Sequence, residues 1–221
     1  MNKYAVIFDM DGVICHTNPY HTIAFERFFE KRGLNPTHEE YAEHMFGKSN
    51  SYILSHFLKR KVEGEEFLAL EFEKEALFRE IYADHISPID GFPAFLDSLE
   101  TAGLKTGVAT SAPRANLDLI MNFLKFEPKM ESIMASENVT KHKPDPQVYL
   151  KSAENLGVDP ANCMVFEDSV SGITAGLNAG MRVIGVLSSH KKEELPPCHL
   201  YIDNYLHLTS QTILDILINE K

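Results

Sequence analysis

Four short stretches of this chain carry residues that could do chemistry together. Asp9 and Asp11 flank Met10 just after the apolar run Tyr4-Ala-Val-Ile-Phe8. Thr110 and Ser111 end a second such run, Lys143 precedes Pro144, and Glu167 and Asp168 close a third. Two like charges about 4 Å apart repel by about 4 kcal/mol at an effective dielectric near 20. Carboxylates gathered this way must therefore take up protons or share a cation. An oxygen-only ligand set suits Mg²⁺, which keeps several waters and commonly shares its site with phosphate. Lys143 and the Thr110 hydroxyl would then hold phosphate oxygens.

These residues converge only if the elements that carry them do. The run ending at Phe8 is too short for a helix and fits a fully buried parallel strand. Similar runs recur at Lys105–Thr110, Ser132–Ala135, Cys163–Phe166, Arg182–Val186 and, more weakly, Leu200–Ile202. Helical patterns over Phe92–Ala102, Pro146–Leu156 and Val170–Ala179 are closed by Gly103, Gly157 and Gly180, as helix C-termini prefer. A last helix is expected over Leu206–Leu217. Asp145 before Pro146 reads as an N-cap with a first-turn proline, and Pro144 biases Lys143 toward an extended backbone. Strand–helix alternation implies right-handed βαβ units, hence an α/β, Rossmann-like parallel sheet with helices on both faces. In open sheets of this kind ligands bind beyond the carboxyl ends of the strands, where the chemistry-bearing residues stand.

Residues 15–87 read differently. They hold no convincing strand, and apolar residues recur at helical spacing: Ile23, the Arg27 stem and Phe28; Ile53, Phe57 and Leu58; Leu70, the Lys74 stem, Leu77, Phe78 and Ile81. Pro19 and Gly33 bracket the first helix. The expected organisation is a core of 1–14 and 88–221 interrupted by an all-α helical cap of 15–87. Gly and Pro signals mark both junctions. The cap aromatics are expected to form its small core.

Phe8-Asp9-Met10-Asp11-Gly12-Val13 resembles the first motif of the haloacid dehalogenase-like hydrolase superfamily. Val108-Ala109-Thr110-Ser111 resembles its second, Lys143-Pro144 its third, and Val165-Phe166-Glu167-Asp168-Ser169 its fourth. The ordered set spans nearly the whole chain, and the helical insert is similar to the small cap of the phosphatase and β-phosphoglucomutase subfamily. The resemblance implies that Asp9 attacks phosphorus and forms an aspartyl-phosphate. Asp11 would protonate the leaving alcohol and then activate water. Mg²⁺ would be held by the Asp9 carboxylate, the Asp11 main-chain carbonyl and Asp168, with Glu167 in direct or outer contact. Thr110, Ser111 and Lys143 would bind the transferring group, and Gly12 would let the chain turn tightly behind the aspartates. In the cap, the resemblance points to Thr17, His21, Lys48, Asn50 and Lys74 as candidate substrate contacts, Lys48 and Asn50 lying in Gly47-Lys48-Ser49-Asn50.

The implied activity is Mg²⁺-dependent hydrolysis of a small phosphomonoester, a sugar phosphate or nucleotide. The alternative is a β-phosphoglucomutase-like isomerase using the same intermediate. Mutases of this type carry an Arg where this chain has Asn50, and a Ser-Lys-Asn-like run where it has Ala112-Pro113-Arg114; His21 and Lys74 favour the mutase. A non-enzymatic phospho-acceptor is disfavoured by the large cap, and a dehalogenase by Asp11 and Asp168.

Composition sets the outer limits. The 221 residues are 44% hydrophobic and 24% charged, ordinary for a globular chain. A net charge of −11 argues against non-specific binding to nucleic acid or anionic membranes. Cys15, Cys163 and Cys198 are too few and scattered for a disulfide framework, which points to a reducing compartment. Met1-Asn2-Lys3 leads straight into the first strand, and no run approaches the roughly 20 apolar residues of a membrane helix. The expectation is a cytoplasmic, monomeric enzyme acting on a small phosphorylated metabolite.

Overall fold

The computed structural model describes residues 3–45 and 49–219. It divides into two compact units, Met1–His16 with Ile86–Lys221, and Thr17–His85.

In the first unit, strands β1 (Ala5–Phe8), β2 (Lys105–Ala109), β3 (Ser132–Met134), β4 (Cys163–Glu167), β5 (Arg182–Val186) and β6 (Leu200–Ile202) form one sheet. Its order is β3-β2-β1-β4-β5-β6, with every pairing parallel. The fold is α/β and Rossmann-like, with helices on both faces. The chain runs outward from β1 on one side and then outward from β4 on the other. The β1/β4 boundary is therefore the switch point at which such sheets open a crevice.

Alternation along the strands sorts the two faces. Ala5, Ile7, Cys163, Val165 and Val183 pack against α7 (Gln147–Leu156) and α8 (Val170–Asn178). Phe8 and Phe166 point the other way, their ring centroids 5.0 Å apart, into an aromatic layer. Phe92 and Phe95 of α5 (Phe92–Thr101) and Tyr205 complete that layer, each within 6.4 Å of Phe8. Burial of Ala5 through Phe8 on both faces explains why β1 is apolar without interruption.

Two helices differ from the expectation. The helix α6 (Arg114–Leu124), which buries Leu117, Ile120 and Met121, lies outside the expected helices: its N-cap, Pro113, offers no side-chain cap, and Lys125 rather than a glycine takes the left-handed C-cap. The last helix, α9, is Ser210–Asn219 rather than Leu206–Leu217. Its start is set by Thr209, whose hydroxyl accepts from the Thr212 amide.

The second unit contains α1 (Asn18–Glu30), α2 (His38–His44), α3 (Asn50–Phe57) and α4 (Gly64–Tyr82). Phe25, Phe28, Phe29, Phe57, Phe78 and Tyr82 are buried in it. In α1 the inward stripe is Ala24, Phe25, Phe28 and Phe29, while Arg27 is exposed. The expected Arg27 stem is thus displaced, since two apolar pairs one turn apart, Ala24/Phe25 and Phe28/Phe29, cover the inner face.

Candidate active site

Register places the core residues. Phe8 is level with Val108 on one side and Phe166 on the other. One residue further, Asp9 comes level with Ala109 and Glu167, with Thr110 and Asp168 the next residues along. The turn after β1 brings Asp11 into a half-buried position and then reverses at Gly12, φ +71°. A Cβ on Gly12 would stand 2.0 Å from Asp168 Oδ2, so this position needs glycine for closeness as well as conformation.

The carboxylates of Asp9, Glu167 and Asp168 are buried and present oxygens within 4.8 Å of one another. Lys143, from the loop before α7, donates to Asp9 Oδ1 at 2.6 Å, Glu167 Oε1 at 2.8 Å and the Ala109 carbonyl at 3.1 Å. Three carboxylates and one ammonium leave two negative charges in a buried place, which a divalent cation offsets; the donor set fits Mg²⁺. Burial pushes the Asp9 carboxyl well above its usual range, against the pull of Lys143, with Glu167, Asp11 and Asp168 pushing the same way as burial. For Lys143 burial works against the charge, but Asp9 and Glu167 outweigh it and hold the ammonium well above its ordinary value.

Asp9 Oδ2 takes no hydrogen bond among the described residues, so one oxygen is clamped and the other stands open. Thr110 is buried and its hydroxyl accepts from the Ala112 amide at 3.0 Å, which leaves its proton to donate. Ser111 is exposed.

Several partners were invisible from the sequence. The Ser188 hydroxyl donates to the Gly12 carbonyl and Ser189 to Asp168 Oδ2, from the loop after β5. Tyr149 donates to Glu167 Oε1 at 3.0 Å. Burial and the Glu167 charge raise its phenol well above the usual range, which keeps it a donor. Gly172 makes room for Glu167, because a Cβ there would stand 1.6 Å from Oε1. A glycine three residues after Ser169, inside the first turn of a helix, was the one signal available for this.

The cap candidates form a group of their own. Lys74, 2% exposed, donates to Glu75 Oε1 at 2.8 Å and to His21 Nδ1 at 2.9 Å. Its ammonium lies 4.4 Å from the Phe25 ring centroid, and His21 stacks on Phe78 at 3.8 Å. Asn50 donates from Nδ2 to Glu71 and Glu75, both at 2.9 Å. Thr17 is buried, its hydroxyl without a hydrogen-bond partner among the described residues. Gly47 and Lys48 lie outside the described residues.

A Rossmann-like sheet with an acidic cluster and a lysine at its switch point defines a class of phosphoryl-handling enzymes. Residues 6–186 match the model of the haloacid dehalogenase-like hydrolase family, and the chain belongs to that family. It is 33% identical over 190 residues to a phosphorylated carbohydrates phosphatase of Thermotoga maritima, covering 84% of this chain and 86% of that one. It is 32% identical over 191 residues to a β-phosphoglucomutase of Bacillus subtilis, covering 82% of each. The crystal structure of a family IA, variant 3 hydrolase from Entamoeba histolytica superposes with a TM-score of 0.91 at 27% identity, covering 98% of this chain and all of that one. The protein is an enzyme of the phosphatase and phosphosugar-mutase group of this family. Among the described residues no helix is long and apolar enough to cross a membrane.

Proposed function

We propose that the protein is a Mg²⁺-dependent phosphatase that hydrolyses a small phosphomonoester, a sugar phosphate or nucleotide, through an aspartyl-phosphate. The observation that carries this reading is the buried cluster in which Lys143 holds one oxygen of Asp9 and leaves the other open. Asp9 Oδ2 forms a bond to phosphorus as the bond to the leaving alkoxide breaks in line opposite. Asp11 gives that alkoxide its proton. Asp11 then takes a proton from water, whose oxygen attacks phosphorus, releasing inorganic phosphate and restoring the Asp9 carboxylate. Lys143 and the Thr110 hydroxyl hold the equatorial oxygens as charge shifts onto them. Asp9, Asp168 and the Asp11 carbonyl would hold Mg²⁺, which supplies further neutralisation of the phosphoryl oxygens.

Phosphatase is preferred to mutase because of Asn50. A mutase has to hold a second phosphate, and the cap position where such enzymes carry Arg is here a neutral amide. That amide is engaged by two carboxylates. The T. maritima relative is named for phosphatase action on carbohydrates, the B. subtilis relative for mutase action. Product analysis separates the two. With β-glucose 1-phosphate and a bisphosphate activator, free phosphate is the expected product; glucose 6-phosphate as the main product would reverse the assignment. A parallel panel of phosphomonoesters identifies the leaving group.

A further inference from the structure

Glu167 is surrounded by five hydrogen-bond donors. Three are local: the amides of Asp168 and Ser169, at 2.9 and 3.0 Å, and the Ser169 hydroxyl, at 3.0 Å, all bond Oε2. They lock the carboxylate to the turn between β4 and α8, and Gly172 leaves the space it needs. Oε1 is left facing two donors from elsewhere in the chain, Lys143 Nζ at 2.8 Å and the Tyr149 hydroxyl at 3.0 Å. Tyr149 is wholly buried on α7, six residues after Lys143, and its ring centroid lies 4.8 Å from Nζ. A phenylalanine would fill the same volume without burying a hydroxyl, which costs free energy unless it is bonded. Here the hydroxyl is bonded to the very oxygen that Lys143 also uses.

We propose that Tyr149 is a positioning residue for Lys143. Its hydroxyl takes up acceptor capacity on Glu167 Oε1, which weakens the hold of Glu167 on the ammonium. Its ring face supports Nζ from below, by the attraction of a cation for an aromatic face. Together these keep Nζ within reach of Asp9 Oδ1, where it meets a phosphoryl group. Without the hydroxyl, Glu167 draws the lysine away from Asp9. The inference rests on reading Lys143 as the phosphate-binding cation of the proposed hydrolysis.

The test compares Tyr149→Phe with Tyr149→Leu in the full-length protein. On a phosphomonoester that the wild type hydrolyses, Tyr149→Phe should lower kcat about tenfold, the size of a lost hydrogen bond to a charged group. KM should stay within about twofold, because only the placement of Lys143 in the transition state is disturbed. Tyr149→Leu should lower kcat further. The second readout needs no turnover. In ¹⁵N-lysine-labelled protein, the Lys143 ammonium resonance, assigned with Lys143→Arg, should shift or broaden in Tyr149→Phe. An unchanged Lys143 resonance, or an unchanged kcat in an active enzyme, overturns the proposal. A wild type that hydrolyses no phosphomonoester overturns the functional reading instead, and the resonance still decides the role of Tyr149.

Discussion

Each of the two units buries a lysine over an aromatic ring, and the surroundings of the two lysines differ. Lys74 in the cap is matched one to one by Glu75, with His21 and Asn50 completing a local network. Lys143 in the core has two carboxylates against it, and a third, Asp168, stands within 4.8 Å of both. A balanced buried pair answers its own desolvation and asks for nothing more. An unbalanced cluster is stable only with a further cation or proton, so the imbalance marks the place where chemistry is done. Under the proposed function the Lys143 cluster is the machinery, while the Lys74 network balances its own charge inside the cap.

The comparison breaks most decisively at Asp9. Asp9→Asn should lose more than about 10³-fold in kcat, measured as phosphate release. EDTA should silence the wild type and added Mg²⁺ restore it. Retained turnover in either case would remove the core cluster from the chemistry.

Exchanging the lysines sharpens the contrast. Lys143→Met should cost about 10²-fold or more in kcat, as loss of a transition-state cation does. It leaves Asp9 and Glu167 without their counter-charge, so its melting temperature should rise more on adding Mg²⁺ than that of the wild type. Lys74→Met takes the counter-charge from buried Glu75 and should destabilise by about 3–5 kcal/mol, as breaking a buried pair does, with no added response to Mg²⁺. Equal Mg²⁺ responses in the two variants would erase the distinction drawn between the sites.

Gly172→Ala should cost about 1–3 kcal/mol from overpacking against Glu167, read by denaturant unfolding. Its kcat should fall while the protein is still fully folded, because the displaced carboxylate carries Lys143 with it. The smallest effect is expected at Asn50. Asn50→Ala should cost about 1 kcal/mol through its lost hydrogen bonds and leave kcat within about threefold. A larger loss of kcat would move Asn50 from support to substrate contact.

The strands and most core helices were legible because their signals are local: unbroken apolar runs for strands buried on both faces, and glycines at helix ends. The helix α6 escaped, since Leu117, Ile120 and Met121 keep helical spacing but no capping side chain opens the helix and no glycine closes it. In the site, Asp9, Asp11, Thr110, Lys143, Glu167 and Asp168 could be picked out by type and by position at strand ends. Tyr149, Ser188 and Ser189 could not, and Gly172 only through its place in the first turn of a helix. Ser188, for example, reaches the Gly12 carbonyl across 176 positions of sequence, and nothing in its neighbours announces the partner.

By itself, then, the sequence determined the alternation of strands and helices, the family, and the acids, lysine and threonine offered at the strand ends. These follow from periodicity and residue chemistry, which act over a few residues. Tertiary structure alone decided how the charges are shared: which oxygen of Asp9 is clamped, that Glu167 is filled by five donors, and that Lys74 balances its carboxylate where Lys143 leaves its cluster negative. Those outcomes depend on distances between segments far apart in the chain. Burial then makes each of those distances count, because the low dielectric strengthens every pairing and penalises every charge left without one.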